Sequence, residues 1–521
     1  MAEKITTVEK KKSSLGRIVA YGFADTMAGT SSQIITLYYL VFLVAVQGMS
    51  PLLAGIAVGF GRIWDGMIDP FMGVLVEKTR SKFGSSRFLM TIAVIPVAIC
   101  FFLLWNGFNL FRGNDILLLV YYIIAYMLWT TAFSMVQVPY EAMLPKIASG
   151  YQERTNFSSV RMIFSGVGAV SATWLFDVIV KYDDAVGPTA ANMSQYGTMA
   201  LLFGVVFSIP IFITILGVKE PSSLNNPFVK LSVSGIYKSY AKVLRSRTYR
   251  KFFLLVVLGS FVSASVTTAM QFLVLLLYGN ISNYILTFTL TFIVVNLKGA
   301  IEIGFFIPNL LMMKKTNKHR PYLIDIPFLI ISGIIIWFAS PAMPIPLFIV
   351  AMMFLGAGVS CLGYVPMTLL PDLTDVQEAM YGNKAEGETA GLYTFAKQVV
   401  GGVAILSFGL VLEAFGLKSG TDLSPVDSGN APSLMAVKVM FSILPVVCCV
   451  LIFIISKTYK LNGESHSLIK RLVTEKREKG IVKATEDEIV TIEKITGVKR
   501  AKMWLFDSET AKLPARLPQT K

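Results

Sequence analysis

The 521-residue sequence predicts an all-α membrane protein, with twelve transmembrane helices in two pseudo-symmetric bundles of six. Three observations carry that expectation. Hydrophobic residues make up 54% of the chain, charged residues only 15%, and the mean hydropathy is +0.63; a soluble domain carries roughly 25% charged residues. Runs such as FLMTIAVIPVAICFFLLW (88–105) and LLLVYYIIAYMLWTTAFSMV (117–136) reach the length of about 20 apolar residues that a bilayer crossing takes. Basic residues crowd alternate loops (Lys10 to Lys12 with Arg17; Lys78, Arg80, Lys82 and Arg87; 242–251; Lys314, Lys315, Lys318 and Arg320), whereas QGMSP and SPAMPIP carry none. Loops rich in Lys and Arg stay in the cytoplasm, so both termini are expected there, in a multi-pass protein of the cell membrane.

Twelve spans follow in order, at 18–46, 52–76, 88–106, 116–143, 157–181, 196–218, 250–278, 283–312, 321–340, 344–369, 388–415 and 435–457. They divide the chain into a cytoplasmic N-terminal segment (1–17), a first bundle (18–218), a polar, basic cytoplasmic linker (219–249), a second bundle (250–457) and a charged cytoplasmic tail (458–521). The halves echo each other. Span 4 ends VPYEAMLPKI (138–147) and span 10 ends VPMTLLPDL (365–373); each precedes a polar loop with glutamate and then a span with one intramembrane cation, Arg161 or Lys397. A six-plus-six repeat with matching landmarks points to the major facilitator fold.

Several function classes are excluded by pattern. Cys100, Cys361, Cys448 and Cys449 all lie inside apolar runs and read as small core residues, without disulfide or metal spacing. His319 and His466 are far apart and lack ligand-spaced neighbours, so neither a metal centre nor a catalytic triad is expected, and the chain is not read as an enzyme. The net charge of +15 is spread over the positive-inside loops, which argues against a nucleic-acid surface. The polar start, MAEKITTVEKKKSSLGR, has no cleavage-site pattern, so no signal peptide is expected. In the tail, SLIKRLVTEKREKG and TEDEIVTIEKITGV read as two amphipathic helices of mixed charge.

Function is read from the charges inside the spans, which are costly there and usually face a cavity or one another. They are Asp25, Arg62, Asp65, Asp69, Glu141, Arg161, Lys298, Glu302 and Lys397. Lys298 and Glu302 stand one turn apart and read as a fixed ion pair. Asp65 and Asp69 share one helix face, and the single neighbouring Arg62 cannot neutralise both. Two carboxylates so placed suit a Na⁺ site or a proton acceptor, which makes them the expected coupling-ion site. Gln137 and Glu141, one turn apart on span 4, are expected to face a central cavity, where Glu141 would pair with Arg161 or Lys397 or else be hydrated at the end of the span. Tyr140 and Tyr364, beside the repeated VP landmark, are candidate rings for stacking on substrate.

YGFADTMAG, RIWDGMIDPFMGVLVEKTRSKFGSSR, VPYEAMLPKIASGYQERTNFSSVRMIF and LPDLTDVQEAMYGNKAEGETAGLYTFAKQVVGG resemble the melibiose permease-like glycoside–pentoside–hexuronide:cation symporter family of the major facilitator superfamily. The resemblance runs from span 1 to span 12. It implies that Asp65 and Asp69 bind the coupling cation with help from the Ser134 hydroxyl. It also implies that Asp25, with Arg161 beside it, binds sugar hydroxyls, and that Lys397 lies near the cation site. Two departures stand out: Gln137 and Glu141 replace a carboxylate and an aromatic of melibiose-type members, and Ile68 replaces a frequent Asn before the second aspartate. The coupling ion is therefore left open as H⁺ or Na⁺, with Asp65 and Asp69 the metal ligands in the second case.

The expected function is secondary active symport of a glycoside, pentoside or uronide by alternating access, the two halves rocking around a central site. A monomer working in the lipid bilayer without a cofactor is expected. Two alternatives stay open: the same fold carrying a lysolipid, and a membrane sensor acting through its tail.

Overall fold

The computed structural model describes residues 14–107, 111, 113–148, 151–181, 189–224, 233–278, 284–383, 386–417 and 432–506. Among these, all regular structure is helical, and no strand occurs. The chain forms two compact units, one from Met1–Leu231 with two short later pieces, the other from Ser232–Ile281, Ile285–Leu417 and Pro425–Lys521.

In the first unit, α1 (Leu15–Phe23) and α2 (Asp25–Val41) are separated by a single turn residue, Ala24. Helix α2 runs on through a π-turn, Phe42–Val46. Then come α3 (Pro51–Lys78), α4 (Ser85–Leu104), α5 (Asp115–Ile147), α6 (Tyr151–Ile179) and α7 (Met193–Gly217). Starts follow local chemistry: Ser50 accepts from the Leu53 N–H before Pro51, and Asn114 accepts from the Leu117 N–H. Outward faces of α4, α6 and α7 carry exposed Ile95, Ile99, Met162, Trp174, Leu202 and Val205. Rows of large apolar side chains at such exposure fit a lipid-facing surface.

The second unit holds α8 (Val233–Val243), α9 (Arg247–Tyr278), α10 (Tyr284–Gly304), α11 (Phe306–Lys315), α12 (Pro321–Trp337), α13 (Ile345–Tyr381), α14 (Glu386–Ala414), α15 (Pro432–Lys438), α16 (Leu444–Lys457), α17 (Gly463–Lys479) and α18 (Glu486–Thr496). Among the described residues, ten helical segments are long and apolar enough to cross a membrane. Two of the expected spans are not among them. Helix α12 is apolar but only 17 residues long, and α3 is 28 residues long but carries Arg62, Asp65 and Asp69 at its centre.

Helix α13 has 37 residues, about 55 Å at 1.5 Å per residue, well beyond the roughly 30 Å of a hydrocarbon core. Its end carries Asp372, Asp375 and Glu378, three residues apart and so on one face. That face receives the tail. From the tail, His466 Nε2 lies 3.0 Å from Asp375 and Arg477 pairs with Glu378, while Lys318 Nζ, from the loop before α12, reaches Asp372 at 2.7 Å. Helix α18 docks on the start of α9, where the Thr248 hydroxyl donates to the Ile495 carbonyl at 2.5 Å. The two expected tail helices are thus α17 and α18, each opened by a capping box and closed by a glycine of positive φ, Gly480 or Gly497.

Glu378 is 1% exposed whereas the Arg477 side chain is 55% exposed. Removing Arg477 leaves a buried carboxylate without its cation, while solvent moderates the loss. Arg477→Ala is expected to lower stability by about 2 kcal/mol, and adding Glu378→Gln should restore much of it. Thermal unfolding of the two variants in detergent checks this; equal melting temperatures for Arg477→Ala and wild type would remove the pair from the tail's anchorage.

Candidate functional site

One stripe of α5 organises the intramembrane charges of the first unit. Ser134, Gln137 and Glu141 stand at i, i+3 and i+7 and therefore share a face. The Ser134 hydroxyl, 1% exposed, donates to Asp69 Oδ1 at 2.7 Å. One turn on, the Gln137 amide donates to Glu141 Oε1 at 3.1 Å, and Arg161 Nη2 donates to the same oxygen at 2.7 Å. Arg161 Nε reaches Asp25 Oδ2 at 3.1 Å. A single guanidinium therefore holds two carboxylates from two other helices, as its fork of donors allows.

The backbone explains how Asp25 and Arg161 meet. Gly29 on α2 and Gly168 on α6 sit where the two backbones touch: a Cβ on Gly29 would fall 2.0 Å from the Ser165 carbonyl oxygen, and one on Gly168 would fall 2.4 Å from that of Thr26. Small residues let membrane helices approach this closely. The Thr30 hydroxyl adds a bond to the Gly168 carbonyl at 3.0 Å. Asp25 begins α2 just past the Ala24 break, where the N–H groups of a helix start favour a negative charge. Asp25 is 5% exposed, and its second oxygen, Oδ1, has no hydrogen-bond partner. A buried acceptor left open is costly and suits a ligand donor.

Asp65 and Asp69 lie half-buried one turn apart on α3. Pro70 follows at once and removes the usual N–H donor to the Gly66 carbonyl, which leaves that backbone oxygen without its helical bond. Arg62 donates to the Thr36 hydroxyl at 3.1 Å, and the Trp64 indole N–H to that of Thr131 at 3.0 Å, which tie α3 to α2 and α5. Among the described residues, no group of three or more His, Cys, Asp or Glu converges. Any cation held here would rest on two carboxylates supplemented by hydroxyl and carbonyl oxygens. Glu141 is close enough for its charge to act on both Asp69 and Asp25. It is electrostatically common to both groups.

The setting of Tyr140 differs from the expectation. Its ring is 1% exposed and stacked on Tyr21 at 4.5 Å between centroids, and each hydroxyl donates to the other residue's carbonyl at 3.0 Å. Arg161 lies over the Tyr140 ring at 5.0 Å. Such a ring is closed to stacking with a solute and instead forms a floor under the guanidinium, because the α1–α5 contact consumes its faces. Glu141 combines features expected separately: it pairs with Arg161, yet 55% of its side chain is exposed.

Lys397 and Tyr364 belong to the second unit. Lys397 is exposed on α14, and Tyr364 on α13 stacks on Phe306 at 4.8 Å. Lys298 and Glu302 form the expected pair at 2.6 Å. Two carboxylates escaped the sequence reading. Asp325 on α12, 1% exposed, accepts from the Asn309 amide at 2.7 Å, and that amide also reaches Ser360 at 3.2 Å. Asp177 on α6 accepts from the Tyr38 hydroxyl at 3.4 Å. The available signal was the same one used elsewhere, an acid inside an apolar run (YLIDIPFLI, TWLFDVIV).

Comparison with known proteins agrees with this architecture. The chain is 22% identical over 433 residues to the isoprimeverose transporter of Lactiplantibacillus pentosus, covering 82% of this chain and 85% of that protein. It is likewise 22% identical over 475 residues to the sodium-dependent lysophosphatidylcholine symporter 1-B of Danio rerio, covering 84% and 85%. The fold resembles the crystal structure of the nucleoside transporter NupG, at a TM-score of 0.59 and 13% identity, over 85% of this chain and 98% of that one. The model of the family described as MFS/sugar transport protein matches residues 20–463. The chain is a multi-pass, all-α membrane protein of the major facilitator fold and belongs to the MFS/sugar transport protein family.

Proposed function

We propose that the protein is a secondary active symporter that moves a glycoside, pentoside or uronide across the cell membrane by alternating access, with both termini in the cytoplasm. The observation that carries this reading is the open, buried Asp25 oxygen beside the Arg161 guanidinium and the Gln137 amide. A polyhydroxylated solute offers hydroxyls that donate to Asp25 and accept from Arg161. Asp65 and Asp69, with Ser134, form the coupling-ion group for H⁺ or Na⁺, and no cofactor takes part. Tyr140 positions Arg161 and does not touch the solute.

Glu141 supplies the link between ion and solute. It holds Arg161 and repels Asp69, so a cation bound at Asp69 relieves that repulsion and strengthens the arrangement that grips the solute. Glu141→Gln keeps the hydrogen bonds and removes the charge. It is expected to raise the half-saturating cation concentration about fivefold, the effect of roughly 1 kcal/mol between partly exposed charges. Uptake measured over a cation series checks this; an unchanged cation dependence would break the link.

A second reading, transport of a lysophospholipid, is favoured by the match to the lysophosphatidylcholine symporter over 84% of the chain. Proteoliposomes under imposed Na⁺ or pH gradients, offered labelled glycosides, pentosides, uronides and lysophosphatidylcholine, separate the two. Gradient-driven accumulation of a sugar supports the first reading, and response to the lysolipid alone replaces it with the second.

A further inference from the structure

At the tail-bearing end of the second unit, a cavity of about 560 Å³ opens between the α11–α12 loop, the segment after α16, and helices α17 and α18. Its walls include His319, Tyr459, Lys460, Glu464, Thr491 and Lys494. Tyr459, Lys460 and Lys494 also line an adjoining recess together with Arg247 and Lys251 at the start of α9. Four cations thus converge from three parts of the fold. Arg247 and Lys460 are both near enough to Lys251 for their charges to repel it. None of the four makes an ion pair with a carboxylate among the described residues. Lys251 is bonded instead to neutral acceptors, the Thr458 carbonyl at 2.5 Å and hydroxyl at 2.9 Å. Of the acids at this end, Asp372 is committed to Lys318, Asp375 to His466 and Glu378 to Arg477, which leaves Glu464 on the cavity wall.

Two further polar atoms among the lining residues are open. His319 Nδ1 and Tyr459 Oη are buried without a hydrogen-bond partner, on residues 8% and 5% exposed. Burial and the neighbouring Arg320 hold the His319 imidazole below its usual range, so it is neutral and offers one donor and one acceptor. Like charges crowded around a cavity, outnumbering the single acid Glu464 among the described lining residues, favour an anion of high charge density. A phosphate monoester carries about −1.5 to −2 charge near neutral pH and three acceptor oxygens, and the volume falls in the roughly 300–1,000 Å³ range of small-molecule sites.

We propose that this cavity binds a phosphate monoester, with the phosphate between Lys460 and Lys494, Arg247 behind them, and the organic part against Tyr459, His319 and Glu464. An occupant would tie α18, through Lys494, to the start of α9 and the end of α16. The tail would then be a ligand-dependent clamp on the base of two membrane helices. The assignment is independent of the transported solute.

The test is a binding titration of the purified full-length protein in detergent with glycerol 2-phosphate, against chloride at matched ionic strength. A parallel arm uses mixed micelles containing phosphatidic acid, against phosphatidylcholine. Saturable binding of at least one phosphate monoester is expected, weakened about tenfold or more in Lys460→Gln and in Lys494→Gln, since each removes a charge-assisted hydrogen bond. Glu464→Gln removes the one opposing charge on the wall and is expected to tighten binding severalfold. It also keeps the test decisive if the lysine variants fold poorly. Saturation by glycerol 2-phosphate assigns a soluble ester as the source, and saturation by phosphatidic acid alone assigns a lipid headgroup. No saturable binding in either arm, or affinities within twofold of wild type in all three variants, would overturn the site.

Discussion

Asp69→Asn and Asp65→Asn are each expected to abolish accumulation of solute while leaving a folded protein that still lets solute equilibrate. The amide keeps the shape of the carboxyl group and removes the charge proposed to attract the coupling ion. One coupled charge in a potential of 100 mV supplies about 2.3 kcal/mol, which sustains roughly a fiftyfold concentration ratio. Without the ion that ratio falls to about one. Asp69 is the more sensitive of the two, because Ser134 is already oriented on it at 2.7 Å and the Glu141 charge acts on it. Initial rates and plateau levels in proteoliposomes, with size-exclusion profiles as the folding check, read the outcome. Full accumulation in both variants would remove α3 from ion coupling.

Arg161→Gln is expected to lose solute affinity by about a hundredfold or more and to lower stability as well. Asp25, 5% exposed, would keep its buried charge but lose the cation at 3.1 Å, and Glu141 would lose its partner at 2.7 Å. Breaking a buried pair from one side costs about 3–5 kcal/mol, of which the exposed Glu141 end contributes little. The two effects are separable. Adding Asp25→Asn to Arg161→Gln should recover stability without recovering binding, since the uncompensated charge goes but the solute contacts do not return. Arg161→Lys should recover part of the stability and little binding, because a single ammonium cannot reproduce the fork that reaches both carboxylates. Thermal unfolding and a solute titration on the same preparations check each arm. Affinity within threefold of wild type for Arg161→Gln would take the guanidinium out of the solute site.

Local pattern accounts for much of what the structure displays. Apolar runs marked the helices because burial in lipid leaves no alternative to internally bonded backbone. The four-residue spacing of Asp65 and Asp69, and of Gln137 and Glu141, placed each pair on one face before any contact was known. The tail helices were legible as amphipathic segments of mixed charge, and the structure adds their caps, Thr485 with Glu488 at the start of α18 and Gly480 or Gly497 at the end of each helix. Boundaries were weaker: α13 extends to Tyr381, past the expected end at 369, because its polar last turns are held by Lys318, His466 and Arg477 and not by the membrane.

Partners across helices were a different matter. That Arg161 bridges Asp25 and Glu141 depends on how closely α2 and α6 approach, and this is decided at Gly29 and Gly168, not at the charged residues themselves. Tyr140 looked like a ring free to stack on solute, but α1 brings Tyr21 against it and buries it. Asp325 found Asn309 and Ser360, and the cations Arg247, Lys251, Lys460 and Lys494 were gathered from segments over 200 residues apart. The sequence by itself determined the helices, their faces and the charges each face carries, because these follow from a period of 3.6 residues and from the cost of exposing backbone in lipid. Only the tertiary structure decided which charges meet, because that depends on interhelical distances set by side-chain size at contacts remote in the chain.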